Sequence, residues 1–105
     1  MTSLKVVVGK LSAIPLGEGR EFEIGGELIA VFRPRSGGVY ATQARCPHKE
    51  GPLADGLVGG TVVSCPFHAW KFDLATGNHS DGTCRLKTYQ VEVQEDESIV
   101  LVLGG

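Results

Sequence analysis

The sequence has no apolar run approaching the ~18 residues that a membrane-spanning helix needs, and Met1 to Lys10 lacks the basic-then-apolar order of a secretory signal. Lys and Arg number 10 against 12 Asp and Glu, and the basic residues form no block. A nucleic-acid or anionic-membrane surface is therefore not expected. Internal repeats, low-complexity tracts and linkers are missing as well. Cysteine is scarce and odd in number: three residues cannot form a complete disulfide framework. Without a signal peptide the thiols should stay reduced unless a metal takes them. These absences lead to the expectation of a cytoplasmic protein forming a single domain over residues 1–105.

Helical periodicity is nearly absent too. In its place stand short β-type runs separated by turn signals, among which the 15 glycines fall. "LKVVVG" at 4–9 reads as a strand, and "REFEIGGELIAVFR" at 20–33 as two strands joined at Gly25-Gly26. Further strands are expected at 38–43, 60–65, 70–74, 87–94 and 98–103, with a short helical turn in "PLADGL" at 52–57. The fold class is all-β, a sandwich or barrel of small antiparallel sheets.

Two stretches interrupt the pattern, "RCPHKEGPL" at 45–53 and "SCPFHAW" at 64–70. Each follows a β-run, and each sets a proline beside its cysteine, which suits a stiff loop and not a central strand. The spacing is Cys46-x-His48-x16-Cys65-x2-His68. Thiolate and imidazole are strong ligands for zinc, iron and copper. Four of them make a closed tetrahedral set if the metal is zinc, which would mean a structural interaction domain. Zinc sites usually pair Cys with Cys and His with His along the chain, and here each loop supplies one of each. That mixture suits a centre with two unlike ends, one iron taking Cys46 and Cys65 and the other taking His48 and His68. Two ferric ions and two sulfides carry two positive charges in sum. Four thiolates would overturn that sum, whereas two thiolates with two neutral imidazoles leave the oxidised centre neutral and easier to reduce.

"CPHKEGPLADG" and "CPFHAWKFDLATG" closely resemble the two cluster-binding boxes of Rieske [2Fe–2S] proteins. The resemblance is strong over residues 46–77 and implies three small antiparallel sheets, with both loops at one end of a cluster-binding subdomain spanning about 44–84. It implies one [2Fe–2S] cluster, with Cys46 and Cys65 on the inner iron and His48 and His68 on the outer one. Rieske proteins of cytochrome bc complexes clamp these loops with a disulfide, but the matching positions here are Gly51 and Phe67. Their serine two residues after the second histidine is Trp70 here, and "NHSDGTC" at 78–84 lacks the proline of a covering loop. These departures resemble the low-potential branch of the family.

That branch implies an electron carrier and not a catalyst by itself, because four protein ligands leave no open position for substrate. The likeness is first to the small subunit of an NAD(P)H nitrite reductase. Next comes the ferredoxin of a ring-hydroxylating dioxygenase system, so the expected partners are a reductase with a terminal oxygenase, or a nitrite reductase large subunit. Around the boxes, His79 is expected to be a solvated turn residue and Cys84 a small buried hydrophobe. Trp70 and Phe72 should pack under the cluster loop, and Lys49 and Glu50 should be solvated within reach of a docking partner. Gly51 and Gly56 are assigned to turn geometry, and Lys71, Asp73 and Thr76 to strand and turn.

Overall fold

The computed structural model describes residues 4–45, 52–65, 71–79 and 85–103. Among these, nine strands build two antiparallel sheets: β1 (Leu4–Lys10), β2 (Glu18–Ile24), β3 (Glu27–Arg33), β4 (Tyr40–Gln43), β5 (Leu57–Gly59), β6 (Val62–Ser64), β7 (Lys71–Asp73), β8 (Thr88–Val93) and β9 (Ser98–Leu103). The larger sheet has the order β1-β9-β8-β4-β3-β2, and the smaller β5-β6-β7. The expected strands are present, and "PLADGL" contains a 3-10 turn at Leu53–Asp55.

The β2–β3 hairpin shows how directly local chemistry shapes this scaffold. Gly25 and Gly26 both have positive φ, 58° and 86°. Two positive values in a two-residue connection match a type I′ turn, whose twist suits the flanking strands. Strand β3 then buries four residues in a row, Ile29 to Phe32. Alternation sends successive side chains to opposite faces. Ala30 and Phe32 accordingly join a cluster with Ala44, Leu53, Val63, Cys65, Phe72, Leu74 and Leu86. Ile29 and Val31 join another with Ile14, Ala41, Ile99 and Leu101. The strand is a wall shared by two cores, one inside the curl of the large sheet and one between that sheet and the small one.

The resemblance implied three small sheets, and the structure shows six strands in one sheet and three in the other. The reason is the β4–β8 ladder, which pairs Ala41 with Tyr89 and Thr42 with Thr88. That short seam joins β1-β9-β8 to β4-β3-β2. The joined sheet curls until its edges approach: a Cβ on Gly9 of β1 would lie 3.8 Å from the Phe22 ring of β2.

Candidate metal centre

The two Cys–His boxes lie in chain segments whose stems the small sheet and its core draw together. The first stem closes where Arg45 bridges Pro52 and the Leu53 N–H donates to the Ala44 carbonyl at 2.9 Å. It is fastened from outside by an Arg45–Glu21 ion pair at 3.2 Å, a partly exposed contact of the kind that contributes about 0–1 kcal/mol. Leu53 is fully buried, so the chain leaving the first box is anchored in the core at once.

The second stem is the β6–β7 hairpin, in which Ser64 stands opposite Lys71 and residues 65–70 form the connection. Gly56 ties the two stems to each other. Its φ is −76°, an ordinary value for any residue, so turn geometry is not its role, contrary to expectation. A Cβ there would collide with the Ser64 carbonyl oxygen. The absence of a side chain lets the exit of the first box lie against the backbone that leads into Cys65.

A third segment, residues 80–84, is closed by a stem of its own. Phe72 bridges His79, and Asn78 bridges Arg85. The Leu86 N–H donates to the Gly77 carbonyl at 2.7 Å, and Arg85 Nε donates to the Thr76 carbonyl at 3.0 Å. The turn beneath it follows from Asp73, whose Oδ1 accepts the N–H groups of Ala75 at 2.8 Å and Thr76 at 3.1 Å. Thr76 Oγ1 in turn accepts the Asn78 N–H at 3.2 Å. Asp73 and Thr76 are thus strand-and-turn residues as expected, and Lys71 is exposed on β7.

Of the four expected ligands, the structure describes Cys65; Cys46, His48 and His68 lie outside the described residues. Cys65 is 2% exposed and packs in one cluster with Leu53, Val63, Phe72 and Leu86, residues drawn from all three stems. A buried sulfur shielded from water at the meeting point of these stems is a soft donor of the kind that suits iron, and it fits the thiolate end of a two-iron centre. Among the described residues no group of three or more His, Cys, Asp or Glu gathers to hold a metal.

Phe72 is fully buried in the core cluster that contains Cys65; the loop it was expected to underlie is outside the described residues. His79 differs from expectation: it is 8% exposed, not solvated. Its ring meets the edge of Phe72 at 5.2 Å between centroids and 64°, because the bridge to Phe72 turns it into the small sheet. The sequence signal for this was weak, a histidine among turn-forming residues. Trp70, Lys49, Glu50, Gly51, Phe67 and Cys84 lie outside the described residues.

Comparison with known proteins agrees with this geometry. The family described as the Rieske [2Fe-2S] domain matches residues 5–97. The ferredoxin component of the naphthalene 1,2-dioxygenase/salicylate 5-hydroxylase systems of Ralstonia sp is 31% identical over 96 residues, 90% of this chain and 91% of that protein. The 4beta-methylsterol monooxygenase of Methylococcus capsulatus is 36% identical over 80 residues, and there the chain spans 22% of the longer protein. A solved structure described as the small subunit of an NADPH nitrite reductase is 28% identical and superposes with a TM-score of 0.85 over 95% of this chain and 99% of that one.

Proposed function

The chain belongs to the family of Rieske [2Fe–2S] domains, and from that premise we propose that it is a soluble one-electron carrier whose cluster is held by Cys46, His48, Cys65 and His68. Its cofactor is a [2Fe–2S] cluster, which when bound supplies a centre that gains and loses one electron. Cys46 and Cys65 would hold the inner iron as thiolates, and His48 and His68 the outer iron through neutral imidazoles. The observation that carries the reading is Cys65, buried where the stems of all three segments meet in one core cluster. The small sheet and the core it covers hold together the stems that lead into both boxes. With four protein ligands and no open position, the chemistry belongs to a partner protein. One domain over 1–105, with its cluster-binding subdomain at about 44–84, and a place in the cytoplasm complete the proposal.

The partner we put first is the large subunit of an NAD(P)H nitrite reductase, a reading supported by the 28% identity and TM-score of 0.85 to the small-subunit structure. A second reading, electron delivery from a reductase to a terminal oxygenase, is favoured by the 31% identity to a dioxygenase ferredoxin over nine-tenths of both chains. Stopped-flow mixing separates them. The reduced protein is mixed without oxygen with an oxidised nitrite reductase large subunit or with a Rieske oxygenase. Rapid recovery of the oxidised spectrum with the first supports the leading reading, and recovery with the oxygenase alone replaces it by the second. Colourless protein containing one zinc per chain overturns both.

A further inference from the structure

A regular ladder between β4 and β8 would set Gln43 opposite Lys87, next in line after Thr42 and Thr88. Half of that pair forms, with the Gln43 N–H donating to the Lys87 carbonyl at 2.8 Å. The reciprocal bond is made differently. The Lys87 N–H donates to the side-chain Oε1 of Gln43 at 2.8 Å, while the Gln43 carbonyl accepts the Thr42 hydroxyl at 2.9 Å. The other end of the same amide donates from Nε2 to the Arg45 carbonyl at 2.8 Å. A backbone N–H can only donate and a backbone carbonyl can only accept, so the two partners fix which way the amide faces.

The carbonyl held by Nε2 belongs to the peptide unit that joins Arg45 to Cys46. Peptide units are planar and move as one body. Lys87, at the other end of the clamp, leads into β8 from the 80–84 segment. From this geometry we infer that Gln43 is a positioning residue for the metal centre: its amide locks the peptide plane entering Cys46 to the strand that follows the third segment. The inference rests on the proposed ligation by Cys46. A polar side chain that only ended a strand would need one backbone partner; this one spans two chain segments, the stem leading to Cys46 and the residue that precedes β8.

The test uses the full chain with Gln43→Met, which keeps length and neutrality and loses both bonds. A net hydrogen bond of ordinary strength corresponds to roughly a fivefold to tenfold change in an opening equilibrium. Amide exchange at Lys87 should therefore accelerate by about that factor, and the EPR signal of the reduced protein should broaden at unchanged iron content. Gln43→Glu retains the acceptor for Lys87 and loses the donor for Arg45. It should keep Lys87 protected and still broaden the signal, and it serves if the methionine variant does not fold. Unchanged Lys87 exchange in Gln43→Met overturns the clamp. Faster exchange with the wild-type EPR line overturns the positioning role and makes Gln43 a stability element alone. If the wild-type protein itself binds no cluster, the proposed function fails, and the Lys87 exchange result still decides whether the clamp exists.

Discussion

Single residues carry much of this architecture, and two of them make sharp predictions. Gly56 is needed because a Cβ would enter the space of the Ser64 carbonyl, and both neighbours are backbone held in stems. Gly56→Ala should cost about 3 kcal/mol, toward the upper end of overpacking penalties, and should lower the iron content, since Ser64 precedes Cys65. A Cβ added to Gly59, at the end of β5, would meet nothing within 4 Å. Gly59→Ala is thus the control, and urea unfolding of the two variants should separate them widely. Asp96 makes a prediction about acid. The Ser98 hydroxyl, then the Ser98 N–H and Lys10, hold its carboxyl down to about 2 from an ordinary 3.8. A depressed carboxylate stabilises the fold above its unfolded value and loses that contribution as pH falls through the folded one. The melting-temperature difference between wild type and Asp96→Asn should therefore stay constant above about pH 5 and shrink as pH falls from 3.8 toward 2. A difference that persists unchanged at pH 2 would show that the turn at Glu95–Glu97 is held by something other than this charge.

Among the elements, the β2–β3 hairpin is where sequence and structure agree most closely. Gly26 at φ 86° is in a region that side chains resist, so Gly26→Ala should destabilise by about 1–2 kcal/mol. Gly25→Asn should be nearly neutral, because asparagine is favoured at the first position of a type I′ turn; equal losses in denaturant midpoint would contradict that turn type. Runs of this kind were legible because period-two alternation and glycine pairs are local signals. Strand β5 was not legible: Leu57–Gly59 is too short to show a period, and it exists because Gly56 brings it against β6. The merging of two sheets was hidden for a related reason, since the β4–β8 seam joins residues far apart in the chain. At the site, residue type and spacing in the boxes carried the proposed ligand set, of which the structure describes Cys65. The burial of His79 and the clamp made by Gln43 depended on which segments meet in space, and no local pattern encodes that.

At the scale of the whole molecule, the division into two cores explains how a small protein can hold a demanding centre. The core inside the curled sheet, built around Ile14, Ile29, Val31, Ile99 and Leu101, includes none of the stem residues that pack around Cys65. The other, around Phe32, Leu53, Cys65 and Phe72, is shared with them. Truncation of Phe72 to alanine should cost about 3–5 kcal/mol and lose iron, whereas Ile99→Val should cost about 1 kcal/mol and leave the iron content intact. Intact protein should contain about two irons and two acid-labile sulfides per chain and be EPR-active after one-electron reduction. Its potential should then reveal what the loops lack. Rieske centres in general span about −150 to +300 mV, a range that belongs to the family as a whole. The upper end requires donors that stabilise the added electron on the sulfurs, and the departures at Gly51, Phe67 and Trp70 remove a clamping disulfide and a hydroxyl donor. With fewer donors, the reduced centre is stabilised less, and the potential should fall between about −150 and 0 mV. Film voltammetry checks this on the isolated protein, and Trp70→Ser should move the value upward by restoring a hydroxyl. A wild-type potential near about +250 mV would mean that these loop positions do not govern the electron affinity of the centre, and that burial around Cys65 outweighs them.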